Sequence, residues 1–326
     1  MSKKVLCLGN ALVDIITQLE TDSTLEMLNL PKASMQLVDK EISEKVQELT
    51  SHLNSKIQTG GSAANTANGI ANLGIPSGYI GMVGDDSLGQ FYAKDMLENS
   101  IEPKFFISET TSTGCAIALI SQDGERTFAT HLGAAIELKA ELLTKELFEG
   151  YDIFHIEGYL IVNHNLISRA IELAKQQGLI VSIDFASYNV VEENLDFLKQ
   201  ICKYVDIIFA NEEEAKAFTS LEAEQAINII ADYCEIAVVK IGKKGSLIKS
   251  KNIEIRINEK ERARVDTTGA GDMYAAGFLS GLSIDKDLEY CGKMGSILAG
   301  NVIEVYGAKM DSERWTRIKK EIQEIQ

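Results

Sequence analysis

The sequence predicts an α/β fold, with a mostly parallel sheet covered by helices on both faces. Three observations point there. Short apolar runs alternate with longer amphipathic segments through most of the 326 residues. Each run leads into a polar turn. At 45% hydrophobic residues, the chain can bury a sizeable core.

Strands are expected, in order, at Val5 to Leu8, Gly78 to Met82, Ile153 to Glu157, Leu179 to Asp184, Val205 to Ala210 and Ala237 to Ile241. Each is short and mostly apolar, as strands buried on both faces are. Helices are expected over Ile42 to Leu53, Leu88 to Asn99, Asn163 to Gln177, Glu192 to Lys203, Glu222 to Tyr233, Ala270 to Leu282, Asp287 to Tyr306 and Asp311 to Ile325. The third has Asn163 as its cap, carries Leu166, Ala170, Leu173 and Ala174 on one face, and stops at Gly178. Two stretches break the rhythm. Ser112 to Thr130 reads as a hairpin turning at Gln122-Asp123-Gly124, and Met35 to Val38 as a further short strand. This antiparallel piece, drawn from segments 11–40 and 104–133, is either a lid over a site or an edge decoration. With no Pro-rich or Gly/Ser linker and no long-period repeat, residues 1–326 read as one domain.

Charge and cysteine usage exclude several functions. Lys and Arg total 32 against 48 Asp and Glu, a net charge of −16, which repels nucleic-acid backbones and anionic membrane surfaces. The longest apolar stretches, such as Ile207 to Ala210, fall far short of the ~20 residues of a membrane helix. Five widely spaced cysteines, Cys7, Cys115, Cys202, Cys234 and Cys291, form no CxxC pair and suit reduced thiols, so the compartment is read as cytoplasmic. His131 and His164 lack metal partners at useful spacing.

The segment richest in chemistry is Arg264 to Phe278, containing Asp266-Thr267-Thr268-Gly269-Ala270-Gly271-Asp272. A glycine turn running straight into a helix leaves several backbone amides free at a positive helix end, a ready anion site. Asp272, in the first turn, either accepts a proton beside the bound anion or merely stabilises the helix start. Asp14 follows the first strand, where a carboxylate either grips a vicinal diol or is a turn residue. Gly60 and Gly61 permit close approach of a ligand to the backbone, and Asn65 offers both a donor and an acceptor. Asn211 and Glu214 lie one helical turn apart, hence on one face, and read as an N-cap with its acidic first turn. G-x-G-x-x-G after the first strand and the P-loop pattern are both absent, against a nicotinamide oxidoreductase or a P-loop ATPase.

The string DTTGAGD closely resembles the C-terminal signature of the ribokinase-like (PfkB) carbohydrate and nucleoside kinases, and Gly60-Gly61-Ser62-Ala63-Ala64-Asn65 resembles their N-terminal one. Gly81 to Gly89 is similar to their second N-terminal element, Asn211 to Glu214 to their N-x-x-E motif, and Lys240 to Gly245 to their nucleotide-side strand and turn. The order and approximate spacing are the family's. The resemblance implies a ribokinase-like three-layer sandwich with a small β lid, and an ATP-dependent transfer of the γ-phosphoryl group to a primary hydroxyl. Asp272 would be the base, the Gly269-Ala270-Gly271 amides the anion hole, and Asp14 the diol ligand. Asn211, Lys240, Gly242, Gly245, Thr268 and Asn301 would serve the nucleotide. Glu214 would order Mg²⁺ through water. Asp266 and Thr268 would serve a monovalent cation, with K⁺ activation expected.

Gly9 to Ile15 and Ser34 to Val38 are more similar to adenosine kinases than to ribokinases or fructokinases. The acceptor implied is therefore a nucleoside, adenosine first, with Tyr159 stacking on the base and Gln36 at its edge. Read without the resemblance, Leu12, Leu37 and Tyr159 are ordinary core residues. Arg126 resembles the lid arginine that meets the phosphates. His155 and Glu157 depart from the nucleoside-kinase type, and a buried carboxylate there favours a polyhydroxylated or amino acceptor. A sugar kinase and a catalytically silent sensor on the same fold are the alternatives. Monomer and homodimer both fit.

Overall fold

A computed structural model describes residues 2–325. Its strands are β1 (Val5–Leu8), β2 (Leu12–Gln18), β3 (Met35–Leu37), β4 (Ser55–Gly60), β5 (Ser77–Gly84), β6 (Ile101–Ser108), β7 (Thr113–Ile120), β8 (Arg126–Gly133), β9 (Ile153–Ile156), β10 (Ile180–Asp184), β11 (Ile207–Asn211), β12 (Ile236–Lys240), β13 (Ser246–Ser250) and β14 (Ile253–Ile257). Nine form one sheet in the order β14-β13-β12-β11-β10-β9-β1-β5-β6. Its pairs are parallel from β6 through to β12, while β13 runs antiparallel to both neighbours. The other five form a separate sheet ordered β3-β8-β7-β2-β4.

Strand alternation sends successive side chains to opposite faces of the large sheet. Val5 and Cys7 of β1 join one apolar cluster, with Ile70, Met273, Phe278 and Leu298 of the covering helices. Leu6 and Leu8 join the other, with Leu166, Leu198, Phe218 and Ile227. The result is a helix–sheet–helix sandwich, as the sequence predicts. No helix among the described residues is long and apolar enough to cross a membrane.

Several details differ from the sequence reading. The small sheet is a body of its own rather than an edge of the large one, and it also recruits β4, outside the expected segments. Residues 101–108, partly counted in the antiparallel piece, belong instead to the large sheet, where β6 pairs in parallel with β5. Asp14 lies within β2, not in a turn after β1, because the turn is confined to residues 9–11. The helix expected over Glu192 to Lys203 is split at Asn194 into Tyr188–Glu193 and Leu195–Ile201, the first capped by Ser187. The helix expected to reach Tyr306 ends at Val302, where the Ile303 carbonyl turns to accept the amides of Val265 (2.8 Å) and Asp266 (3.1 Å).

Phe209, on β11, is fully buried between the ring of His155 (6.2 Å between centroids) and that of Phe278 (5.4 Å, edge-on). It couples the sheet to the Ala270–Ser283 helix. Phe209→Ala should lower the unfolding free energy by about 3–5 kcal/mol in a urea titration. A loss below about 1 kcal/mol would mean that the site collapses around the deletion.

Candidate active site

The polar residues of the site are delivered by strand register. On β9, β11 and β12, Ile153, Ile207, Phe209 and Val238 face the helix Ala270–Ser283, so the two-residue period carries Glu157, Asn211 and Lys240 to the same side at the strand ends. Ser182 sits opposite His155 in register, which puts Asp184 of β10 on that side too. Parallel sheets collect ligands at this carboxyl edge.

Lys240 Nζ donates to Asp184 Oδ2 at 2.6 Å, with both side chains largely buried. Burial alone would push the ammonium down, but Asp184, Glu214 and Asp272 outweigh it and hold it above the usual lysine range. The Gly269 turn lies directly above. A Cβ on Gly271 would come 3.1 Å from Lys240 Nζ, and Gly269, at φ +76°, faces Ala308 so closely that a Cβ there would lie 2.6 Å from the alanine methyl. Over residues 269–272, the amides of Gly269, Gly271 and Asp272 have no partner among the described residues. The Ala270 amide, expected to be free, donates to the Thr267 carbonyl at 3.2 Å.

Asp272 is bonded from the facing helix Ser62–Asn72. Ser62 Oγ donates to Oδ1 (2.7 Å), Asn65 Nδ2 to Oδ2 (2.9 Å), and Thr66 Oγ1 to the Asp272 carbonyl (3.2 Å). Burial raises its carboxyl to about 6 against the bonds from Asn65 and Ser62, with Asp184 adding to the rise and Lys240 opposing it. Asp14 stands opposite Gln58 in the β2–β4 register and is likewise raised to about 6 by burial, opposed by the bond from Gln58 and by Lys309 and Arg126. It packs on Gly60, where a Cβ would lie 2.1 Å from Asp14 Oδ1. Gly61, at φ +93°, starts the facing helix with a Cβ position only 2.3 Å from the Asn10 carbonyl.

Glu157 is bonded by Asn10 Nδ2 and the Ala63 amide, and burial raises it to about 7. His155 is buried, shares a hydrogen bond with Ser182 Oγ (2.9 Å), and is lowered to about 4 by burial.

Arg126, at the start of β8, reaches across to the large sheet's side. Its Nη1 pairs with Asp266 Oδ2 at 2.6 Å, its guanidinium lies 5.3 Å from the centre of the Tyr306 ring, and its Nη2 is buried without a partner. Asp266 also accepts from the Gly307 amide (2.6 Å) and from Thr268 Oγ1 (2.8 Å). An orphaned guanidinium nitrogen, free amides and Lys240 together fit a polyanion such as a nucleotide triphosphate.

The remaining expected residues are spread out. Asn211 and Glu214 form a reciprocal capping box, and burial with the nearby Asp184 raises the Glu214 carboxyl while Lys240 opposes. Gly242 and Gly245 turn the chain at φ +53° and +94°, and a Cβ on Gly245 would lie 1.8 Å from the Ile257 carbonyl. Asn301 Nδ2 is turned to the Ile297 carbonyl (2.9 Å) and Glu321 (3.5 Å). Gln36 Nε2 donates to Ser34 Oγ (3.3 Å). Tyr159 is half-exposed, and burial of its phenol near Glu157 and Asp272 raises it. The sequence reading gives no role to Asp184, Ser62, Asn10 or Lys309, although Ser62 lies within the Gly60 to Asn65 signature, Asn10 within Gly9 to Ile15, and Asp184 at the charged end of an apolar run.

A mostly parallel sandwich whose carboxyl edge carries a helix start with free amides, faced by a small sheet, is the architecture of a small-molecule phosphotransferase. The chain belongs to the pfkB family of carbohydrate kinases, whose model matches residues 33–315. A probable sugar kinase from Rhizobium etli is 32% identical and superimposes with a TM-score of 0.87, covering 98% of this chain and 99% of that one. The crystal structure of adenosine kinase from Sinorhizobium meliloti is 31% identical, with a TM-score of 0.86 over 98% and 100%. Adenosine kinase from Saccharomyces cerevisiae is 29% identical over 96% of this chain and 98% of its own. The chain is thus a sugar or nucleoside kinase, an enzyme that phosphorylates an alcohol group with ATP and, typically for the family, Mg²⁺.

The raised carboxyls give a stability prediction. Unfolded carboxyls titrate near pH 4, so the folded state keeps protons that the unfolded chain has released, and stability falls as pH rises through that gap. His155, lowered to about 4, acts oppositely, but mainly below its ordinary value of 6.5. Between pH 6.5 and 8 the carboxyls outweigh the residual contribution of His155, Glu157 and Glu214 at about 7 foremost. The urea midpoint should fall across this window, and less so in Glu157→Gln. A midpoint that rises with pH there contradicts the assignment.

Proposed function

We propose that the chain transfers the γ-phosphoryl group of ATP to the primary 5′-hydroxyl of a nucleoside, adenosine foremost. The observation that carries the transfer is Asp272 itself: a partly buried carboxylate in the first turn of the helix whose free amides lie at Gly269, Gly271 and Asp272, and bonded across to Ser62 and Asn65. The nucleoside reading is supported by near full-length likeness to adenosine kinases, and by Tyr159 and Gln36 as candidate base contacts.

In this reading Asp14 accepts hydrogen bonds from a vicinal diol, and Gly60 and Gly61 let the ring approach the backbone. Asp272 takes the hydroxyl proton, a contribution of about 10²–10⁴-fold for a positioned base. A carboxyl near 6 is a weak base, but phosphoryl transfer through a loose transition state asks more of placement than of basicity. The free amides steady charge on the transferred group, at about 3–4 kcal/mol for a well-placed donor. Lys240 below Gly271 and Arg126 Nη2 neutralise the phosphates from two sides. Mg²⁺, bound with ATP, would supply neutralising charge at the phosphates, and Glu214 would order its water shell. Asn211 and Glu214 then both cap their helix and serve the nucleotide, while Gly242 and Gly245 run beneath it. K⁺ beside Asp266 and Thr268 is part of the proposal and would share that carboxylate with Arg126.

A free sugar is the second reading, favoured by the likeness to the probable sugar kinase of Rhizobium etli. The test is a panel of adenosine, inosine, guanosine, cytidine, ribose, fructose and 2-keto-3-deoxygluconate, with ATP, Mg²⁺ and K⁺. Adenosine should exceed every free sugar by about tenfold or more in kcat/KM. A sugar in first place reverses the assignment, and nucleoside binding without ADP formation would mark a sensor. With the best acceptor, Asp272→Asn should lower kcat by about 10²–10⁴-fold while both KM values stay within about threefold. Turnover retained within about tenfold removes Asp272 from the role.

A further inference from the structure

Glu157 stands just past β9, 2% exposed, and both its carboxylate oxygens are engaged within the chain. Oε1 accepts from Asn10 Nδ2 at 2.7 Å and, at 3.4 Å, from the Asn10 amide. Oε2 accepts from the Ala63 amide at 3.0 Å. Ala63 is the second residue of the helix Ser62–Asn72, whose own N-cap, Gly61, has no side chain to bond the first turn. The cap that an Asp or Ser would normally supply in sequence therefore comes from another strand. Space for it is made by Gly9, where a Cβ would fall 2.5 Å from Glu157 Oε2.

The two segments that Glu157 joins are those that carry the transfer residues. Asn10 leads into β2 and Asp14. The first turn of the capped helix carries Ser62 and Asn65, which bond both oxygens of Asp272. The Asn10 carbonyl also lies so near Gly61 that only a glycine fits between them.

We infer that Glu157 is a positioning residue for phosphoryl transfer, a helix cap supplied from β9 that locks the Asn10 turn to the Ser62–Asn72 helix and so aims Asp14 and Asp272 at one acceptor. This rests on Asp272 as the base and Asp14 as the acceptor ligand. It also changes the meaning of the buried carboxylate, whose oxygens serve the scaffold rather than an amino or polyhydroxylated acceptor.

The test exchanges the partners. Asn10→Asp alone sets two carboxylates head to head and should lower kcat/KM for the fastest acceptor of the panel by about 100-fold, with KM for ATP within about threefold. Adding Glu157→Gln restores a donor facing an acceptor, and the double variant should recover to within about tenfold of the parent. If Asn10→Asp does not fold, Glu157→Asp, which withdraws the carboxylate by one methylene, is the second probe. It should raise the acceptor KM by about tenfold and leave the ATP KM alone, whereas a merely structural role would reduce folded protein without this split. Asn10→Asp within threefold of the parent, a double variant no better than Asn10→Asp, or unchanged acceptor KM in Glu157→Asp overturns the inference. Asp272→Asn run alongside separates the two failures. An active Asp272→Asn sinks the base assignment, while an inactive one together with an uncoupled Asn10–Glu157 pair sinks the cap alone.

Discussion

The site is organised by a charge-burial constraint, met where Lys240 lies against Asp184 beneath the Gly269 turn. An ammonium removed from water is tolerated only if carboxylates surround it, and breaking such a pair typically costs about 3–5 kcal/mol because the survivor is left uncompensated. Register at the ends of β10 and β12 supplies both partners without any loop having to fold around them. Once the ammonium is fixed there, a Cβ on Gly271 would press on it at 3.1 Å, and Glu214 and Asp272 can lie nearby without a further cation between them. The surplus of buried acid appears as raised carboxyls at Asp272, Glu157 and Glu214.

The small sheet adds a second set of constraints. Arg126 ties it to Asp266, and Asp266 in turn holds the Gly307 amide, so one carboxylate joins the small sheet, the approach to the Ala270–Ser283 helix, and the segment after the Leu288–Val302 helix. Two residues past Gly307, Lys309 bonds Asp95 (2.5 Å) and Thr59 of β4. Asp14 and Gln58 thus occupy a sheet fastened on two sides.

How much of this was legible in sequence depends on how far apart the interacting residues lie. The six buried strands announced themselves because a strand covered on both faces must be apolar throughout. The Gly269 turn did too, since free amides at a helix start are a local property. By contrast β4, Ser-Lys-Ile-Gln-Thr-Gly, is an edge strand of a half-exposed sheet and carries too few apolar residues to be seen. Asp184 and Lys240 are separated by 56 residues and Arg126 and Asp266 by more than twice that, so no window of sequence contains either pair. Glu157 was noticed as an anomaly, but its meaning needed the Ala63 amide, 94 residues away. The choice of free amide at 270 or 272 turned on a single bond to Thr267 that spacing does not predict.

The capping box at Asn211 and Glu214 bears on which divalent ions the enzyme will tolerate. Both oxygens of Glu214 are already held by Asn211, and among the described residues no three His, Cys, Asp or Glu side chains close on one point as a metal site. On the proposed role of Glu214, an ion arriving with the triphosphate would meet a partner in its water shell rather than a cage of fixed radius. Discrimination between Mg²⁺ and ions of similar charge, such as Mn²⁺, would then be inherited from the phosphates, with little size selection imposed by the protein itself.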